Sequence, residues 1–205
     1  MVVVRSACEE ITHCNKLMDI FQIILLCGNY MNAGSRNEGS FGFELSFLNS
    51  LADTKTQSGS SFIHFLAEII EEHYSQLIGF DKNLTSIQSA MKGLYILYLY
   101  TVNDDSVTKV VNQVAKTVSQ LESNLSKFET PFNSDDKFPE ILTDFHKKAS
   151  EQLIILQEMF DNMKKSFDDI CNYFSITTKF TIEEFFSLFN KFMEDWNVTV
   201  NFLLS

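Results

Sequence analysis

The stretch LTDFHKKASEQLIILQEMFDNMKKSFDDICNYF, residues 142–174, decides the predicted fold. Apolar residues recur along it at intervals of 3, 4, 4, 3, 4, 3, 4, 3 and 4 positions. They are Leu142, Phe145, Ala149, Leu153, Leu156, Phe160, Met163, Phe167, Ile170 and Phe174. Such a seam of heptad-spaced residues is typical of a helix that packs along another helix. It predicts a helix of more than 30 residues, roughly 45 Å long.

A second seam lies upstream and is joined to the first by a short polar link. Its residues recur at intervals of 3, 4, 4, 3, 4 and 3 positions, and are Val107, Val110, Val114, Val118, Leu121, Leu125 and Phe128. The link, residues 129–137, contains Pro131. Two long helices with so short a connection pack antiparallel. The two seams therefore predict a helical hairpin with a coiled-coil interface.

Helical spacing in the remaining segments makes the predicted fold class all-α. One helix is predicted over Ala7–Cys27 and ends at Gly28, because glycine favours helix termination. A short helix is expected at Phe43–Leu51 and a longer one at Phe62–Leu77, since each has apolar residues three and four positions apart.

The last predicted helix starts with a capping box. In this motif the side chains of Thr181 and Glu184 each accept a hydrogen bond from the other residue's backbone N–H. Because the chain has 20 phenylalanines and one tryptophan, we expect a core built on phenylalanine. The predicted architecture is an elongated helical bundle with long antiparallel coiled-coil helices and a compact helical subdomain.

The segment Gly93–Val102 does not follow this helical pattern. It is apolar on every face and rich in residues that favour strands. Its ten residues are too few to span a bilayer. A buried strand is one interpretation, although a lone strand in an all-α protein has no neighbour to pair with.

Composition and charge exclude several classes of function. The chain has 205 residues, a net charge of −11 and a pI near 4.7, so it lacks the basic footprint of a general nucleic-acid-binding protein. We predict no membrane span, since no stretch reaches the required apolar length. The cysteines at positions 8, 14, 27 and 171 form no CxxC pair and are expected to be reduced thiols in the cytoplasm.

No set of residues predicts an active site. His64 and His73 are nine positions apart, whereas a zinc pair on one helix needs a spacing of four. Gly34–Gly39 lacks the GK[ST] ending and the preceding strand of a phosphate-binding loop. We therefore predict no enzyme activity, no cofactor and no metal site, and we interpret the chain as an interaction module.

The segment GNYMNAGSRN, Gly28–Asn37, is the candidate interaction surface. A loop that only reverses the chain does not need Tyr30 and Met31, with Phe41 following shortly after. These residue types occur in binding pockets. The alternative is that the three side chains pin the loop onto the protein's own core.

This segment, followed by Gly39 and Phe41–Phe43, resembles the signature of the formin homology-2 domain of diaphanous-type formins. The similarity continues through further blocks in the same order. They are Ser46–Leu48, Leu51–Lys55, His64–Glu68, Glu71–Tyr74, Asp136–Phe138, Asn172–Phe174 and Ile182–Phe186. The resemblance covers most of the chain.

The resemblance implies a fold and a function. Domains of this family are all-helical and consist of a lasso, a flexible linker, a knob, a three-helix coiled coil and a post. Two chains form a head-to-tail homodimer in which the lasso of each encircles the post of the other. The ring binds actin, nucleates filaments and elongates their barbed ends processively in the cytoplasmic actin cytoskeleton. Rho-type GTPases regulate such formins through upstream domains that we expect to lie outside this chain.

The resemblance also implies site residues. The lasso-binding surface of the dimer interface is assigned to Gly28, Asn29, Tyr30, Met31, Asn32 and Phe41. Glycine allows a backbone to approach closely, the asparagines offer hydrogen bonds, and Tyr30 and Met31 are expected to wall an apolar pocket. Lys55 is implied as an actin contact, since a cation suits an acidic surface. Without the resemblance, Lys55 is a solvated loop lysine.

We expect residues 1–205 to form part of one formin homology-2 domain. Residues 1–92 are assigned to a post-like region with the lasso-binding loop, and 105–205 to the coiled-coil helices and the C-terminal helix. Residues 93–104 are an apolar insert relative to the family, which is a functional element, a splice variant or a gene-model error.

Lasso, linker and most of the knob are expected to be missing, since the chain starts where the family's second half starts. The end, residues 197–205, lacks the family's charged continuation. We therefore expect that the chain alone forms no ring and nucleates little actin. The alternative function is that of a structural helical protein that binds a partner and has lost actin assembly activity.

Overall fold

The computed structural model describes residues 1–56, 59–100, 106–127, 137–176 and 180–204. Seven α-helices contain most of these residues: α1 Val2–His13, α2 Asn15–Met31, α3 Phe62–His73, α4 Thr85–Tyr100, α5 Ser106–Ser126, α6 Phe138–Tyr173 and α7 Ile182–Leu203. Short 3₁₀ helices lie at Leu45–Ser50, Ser75–Leu77 and Phe80–Asn83. No strand occurs in these ranges, and the all-α prediction is confirmed.

The chain folds into two compact units. The first unit contains Val2–Leu94 and Ser166–Ser205, and the second contains Tyr95–Lys165. The prediction groups residues 105–205, which include α7, as one region of the domain. In the structure, α7 contacts elements of the N-terminal region. It packs on α3 and on the 3₁₀ helix Leu45–Ser50.

The predicted helix over Ala7–Cys27 is interrupted at Cys14. This residue has φ −80° and ψ 86°, which are not helical values. Its buried thiol lies 4.0 Å from the carbonyl oxygen of Phe80. The sequence has no glycine or proline at this point, so the break arises from tertiary packing rather than from local propensity.

Gly28 lies inside α2, and the prediction that it ends the helix is wrong. Its carbonyl accepts a hydrogen bond from the N–H of Asn32 at 2.9 Å, so the helix runs one turn further and ends at Met31. A glycine within a helix costs only about 1 kcal/mol relative to alanine. Burial of Ile24 and Cys27 in the turn before Gly28 outweighs a cost of this size.

α3 ends at His73, one turn before the predicted end at Leu77. Tyr74 leaves helical geometry with φ −137° and ψ 39°, and the 3₁₀ helix Ser75–Leu77 follows. This short helix packs against both α2 and α3, and Leu77 is buried. The chain therefore turns at Tyr74 to place Leu77 against its neighbours.

The two predicted long helices are confirmed. α6 has 36 residues and α5 has 21. Seam residues from both helices line one groove of 550 Å³: Val114, Val118, Leu121, Phe145 and Ala149. The helices therefore lie side by side within the second unit. Residues 128–136, which contain Phe128 and most of the link, lie outside the described ranges.

α4 runs through the apolar segment as far as Tyr100, so the strand interpretation of Gly93–Val102 is wrong for its described part. The helix is anchored at its N-terminus, where the Glu10 carboxylate accepts hydrogen bonds from the N–H and the hydroxyl of Ser86 at 2.8 and 2.6 Å. A carboxylate there offsets free N–H groups and the helix dipole. Residues 101–105 lie outside the described ranges.

The capping box predicted for α7 is confirmed. The hydroxyl oxygen of Thr181 accepts from the N–H of Glu184 at 3.1 Å, and the N–H of Thr181 donates to the Glu184 carboxylate at 2.8 Å. Two backbone donors are thereby satisfied at the point where the helix starts.

Phenylalanine builds the core of the first unit, as predicted. The ring of Phe21 lies 5.8 to 6.4 Å, between centroids, from four other rings: Phe43, Phe174, Phe189 and Phe192. Phe189 and Phe192 of α7 are fully buried. The cluster therefore joins α2, the loop after it, the end of α6 and α7.

Replacing Phe189 with alanine should lower the free energy of unfolding by about 3–5 kcal/mol, because the fully buried ring leaves a cavity. Urea denaturation followed by circular dichroism measures this change. Val198→Ala is the control, since Val198 lies on the same helix and is exposed. Equal midpoints for the two variants would show that the cluster does not support the fold.

Candidate functional site

Two hydrogen bonds tie the chain after α2 back onto the helix. The side-chain nitrogen of Asn29 donates to the carbonyl of Ser40 at 2.9 Å, and the N–H of Ser40 donates to the side-chain oxygen of Asn29 at 2.8 Å. The Asn29 side-chain amide thus pairs with the backbone of Ser40 as one strand residue pairs with another in a β-sheet. This clamp closes residues 32–40 into a loop on the side of α2.

Glycines allow the chain to reverse within this loop. Gly34 and Gly39 have φ values of +79° and +70°. Residues with a Cβ atom rarely adopt this left-handed backbone conformation. The N–H of Gly34 also donates to the carboxylate of Glu38 at 2.6 Å. Gly34 and Gly39 are therefore required by the shape of the loop.

A pocket of 220 Å³ lies between the end of α2 and this loop. Its apolar walls come from Ile24, Leu25, Phe43 and Phe47, and its polar groups from Asn29, Asn32, Asn37 and Ser40. Small-molecule sites usually measure about 300–1,000 Å³. The pocket is smaller than this range and suits one large side chain of a partner protein.

Gly28 leaves open space at the wall of this pocket. A Cβ atom added at this residue would have no heavy atom within 4 Å. The helix therefore tolerates a side chain at this position, and the side chain would occupy space that is now free.

The predicted lasso-binding residues fall into two groups. Gly28, Asn29 and Asn32 line the pocket. Tyr30, Met31 and Phe41 do not, and their side chains are 83%, 45% and 103% exposed. The alternative that these three side chains pin the loop onto the core is therefore wrong.

Helix geometry explains why Tyr30 does not wall the pocket. Tyr30 follows Gly28 by two positions, which is about 200° around the helix axis. Its side chain consequently lies on the opposite face of α2. The expectation that Tyr30 and Met31 form the pocket walls does not hold. Ile24 and Leu25 are the α2 residues that form the apolar wall of the pocket.

Lys55 is exposed on a tight turn that backbone hydrogen bonds hold in place. Lys55 and Ser61 form an antiparallel bridge, and the N–H of Phe62 donates to the carbonyl of Thr54 at 2.7 Å. The ring of Phe62 lies 6.2 Å from that of Phe47, which lines the pocket. Packed aromatic rings therefore connect the turn that carries Lys55 with the pocket.

The thiols of Cys8, Cys27 and Cys171 are weak nucleophiles. Burial raises the pKa of Cys8 to about 12, and the nearby Cys171 thiol adds a smaller effect in the same direction. Burial also raises the pKa of Cys27 and of Cys171. These thiols stay protonated at neutral pH, and the thiolate is the reactive form.

The described ranges contain neither a metal-binding cluster nor a membrane-spanning helix. No three His, Cys, Asp or Glu side chains there are placed to hold a metal ion. No helix there combines the length and the apolar composition that crossing a membrane requires.

The sequence model of one family, the Formin Homology 2 Domain, matches residues 1–197. The chain belongs to the formin homology 2 family. It is 33% identical to Protein diaphanous of Drosophila melanogaster over 198 residues, and 35% identical to Protein diaphanous homolog 3 of Homo sapiens over 194 residues. These alignments cover 96% and 94% of this chain. Formin-like protein 16 of Arabidopsis thaliana is 27% identical over 173 residues, or 84% of the chain.

The formin homology 2 match includes both parts of the candidate site, the pocket and Lys55. The chain spans 17% of the Drosophila protein, 16% of the human protein and 23% of the Arabidopsis protein. The comparisons therefore assign this chain to one domain family within much longer relatives.

Four apolar residues of the pocket beside α2 were not among the predicted site residues. They are Ile24, Leu25, Phe43 and Phe47. Part of the signal is present in the sequence, because Ile24, Gly28 and Asn32 recur every four positions and so share a helix face. Phe43 and Phe47 reach the pocket through the tertiary fold, which sequence spacing does not reveal.

Removing the Asn29 clamp should loosen the loop formed by residues 32–40. In Asn29→Ala, the amide of Ser40 loses its acceptor and should exchange about fivefold faster, since a hydrogen bond contributes about 1 kcal/mol. Hydrogen exchange measured by NMR reports this rate.

Asn32→Ala is the matched control, because Asn32 lines the same pocket and its replacement leaves both hydrogen bonds between Asn29 and Ser40 intact. Protection of Ser40 should largely persist in this variant. Unchanged exchange in Asn29→Ala would contradict the role of the clamp.

Proposed function

We propose that this chain is the part of a diaphanous-type formin that receives the lasso of a second formin chain and contacts actin. The observation that carries the proposal is the 220 Å³ pocket that the signature segment forms at the end of α2. Membership of the formin homology 2 family supports it. In this proposal the domain acts by binding and positioning actin subunits, without catalysing a reaction.

The pocket has the properties that a lasso anchor requires. Its walls are apolar, so that a large side chain of the lasso would be removed from water. Asn32 and Asn37 line the same space and offer amide groups to an extended backbone that crosses it. Asparagine side chains suit this purpose because each both donates and accepts hydrogen bonds.

One anchor side chain is insufficient for a stable complex. Burying about 150 Å² of an aromatic side chain contributes roughly 4 kcal/mol at 25 cal/mol per Å². Association itself costs about 4–15 kcal/mol in lost freedom. Additional contacts are needed, and the exposed side chains of Tyr30, Met31 and Phe41 are available for them around the end of α2.

Lys55 is the proposed actin contact. Its exposed ammonium group lies on a turn fixed by the bridge to Ser61. A positive charge is complementary to an acidic partner surface and mainly increases the rate and the specificity of association. Because the chain as a whole has a net charge of −11, an exposed lysine is a local exception to its negative charge.

Nucleation of actin filaments and processive elongation of barbed ends are proposed for the head-to-tail dimer. In that assembly the lasso of one chain occupies the pocket of its partner. The proposed location is the actin cytoskeleton in the cytoplasm.

Gly28→Leu should block lasso binding by filling the pocket. The probe is the lasso segment of a diaphanous relative, added in trans and followed by isothermal titration calorimetry. We expect affinity to fall by at least about tenfold, since the anchor side chain loses its burial.

Gly93→Leu is the matched control, because Gly93 is an exposed helical glycine of the same unit with no heavy atom near its Cβ position. Tyr30→Ala tests whether the lasso continues around the helix, and a weaker effect of about threefold is expected. Full affinity in Gly28→Leu would remove the pocket from the proposal.

Lys55→Asp should weaken actin binding by about tenfold at low salt, and the loss should shrink as salt increases. Co-sedimentation with actin filaments measures it. Lys92→Asp is the matched control, since Lys92 is an exposed lysine on α4 of the same unit.

Equal binding by both lysine variants would exclude Lys55 as the contact. If the unmodified chain does not bind actin, even with the lasso segment present, the alternative function applies. The chain would then be a helical interaction protein without actin assembly activity.

A further inference from the structure

α2 has a second exposed face, opposite the pocket. A groove of 340 Å³ lies between this face and the turn that follows α3. Its lining includes Leu26, which precedes Gly28 by two positions and therefore lies about 200° around the helix from it. The groove and the pocket are separated by the full width of α2.

The groove has an apolar floor and an apolar rim. Ile23 and Leu77 form the floor and are buried. Leu26 and Tyr74 line the groove from its two sides and are 67% and 40% exposed. A single exposed leucine is ordinary, but apolar side chains on both sides of a depression are typical of a surface that binds a partner.

Acidic residues line this apolar surface or lie on the helix turn next to it. Asp19 lines the groove, and the exposed residues Glu71 and Glu72 lie in the last turn of α3, just before Tyr74. α3 contains no lysine or arginine, and the imidazole of its last residue, His73, lies 3.7 Å from the Glu72 carboxylate. Its C-terminal end adds a partial negative charge from free carbonyl groups. α2 contains one lysine and no arginine. This lysine, Lys16, lies one turn before Asp19 and is half-buried.

We propose that this groove binds a segment of a partner protein that carries a large apolar side chain next to lysine or arginine. The apolar side chain would lie between Leu26 and Tyr74, and the cationic group would lie beside Glu71, Glu72 and the end of α3. Charge complementarity selects this occupant, because the same acidic groups repel nucleic acids and acidic peptides. The proposal does not depend on the proposed lasso and actin contacts.

The test uses a short peptide in which two leucines lie between lysine pairs, titrated against the full chain and followed by NMR chemical-shift changes. Two further peptides serve as controls, one with glutamate in place of lysine and one with serine in place of leucine. We expect the first peptide to bind, with shifts centred on Leu26 and Tyr74 and an affinity that falls with salt. Both control peptides should bind at least about tenfold more weakly.

Variants of the protein locate the binding surface. Leu26→Ser should weaken peptide binding by about tenfold, and Glu71→Gln with Glu72→Gln by about threefold at low salt. Asp168→Asn with Asp169→Asn is the matched control, since these residues are an exposed acidic pair of the same unit. The substituted residues are all solvent-exposed, and circular dichroism verifies that each variant is folded.

Gly28→Leu, which fills the pocket on the opposite face of α2, should leave peptide binding unchanged. The two sites can therefore fail independently. Three results would overturn the proposal: no binding of the leucine–lysine peptide, equal binding of the control peptides, or equal binding by the groove variants. Self-association of the chain that Leu26→Ser abolishes would assign the groove to a second copy instead and would also overturn it.

Discussion

The packing around Phe21 is the constraint on which the first unit depends. Its ring contacts Phe43, Phe174 and two phenylalanines of α7, so one side chain joins segments that are far apart in the sequence. Phe43 also lines the pocket beside α2. Because close-packed interiors transmit small displacements, the contacts that stabilise this unit also set the position of the pocket wall. Fold stability and the shape of the site are therefore coupled.

The parts of the fold that depend on spacing along one helix could be predicted from the sequence. The seams indicated α5 and α6, and Thr181 with Glu184 indicated the start of α7. The phenylalanine content indicated the nature of the core. Each of these signals is local or periodic, and a single sequence contains all the information that such a signal requires.

Features that depend on contacts between distant segments could not be predicted in this way. The break at Cys14 arises where its thiol faces the carbonyl of Phe80, and no residue near Cys14 in the sequence indicates it. The candidate site divides in the same manner. Gly28, Asn29 and Asn32 were assigned to it from the signature, whereas Phe43 and Phe47 required the fold. The direction of Tyr30 depended on whether α2 continues past Gly28, which local propensity predicted wrongly.

Gly28 has a consequence for the balance between stability and binding. Alanine at this helical position would be more stable by about 1 kcal/mol, and the structure has room for its methyl group. That methyl group would occupy part of the space in which a partner side chain is proposed to bind. The helix thus keeps a less stable residue where a more stable one fits, and in return the surface keeps a cavity. Selection for thermal stability alone would therefore be expected to favour a residue at position 28 that narrows this pocket.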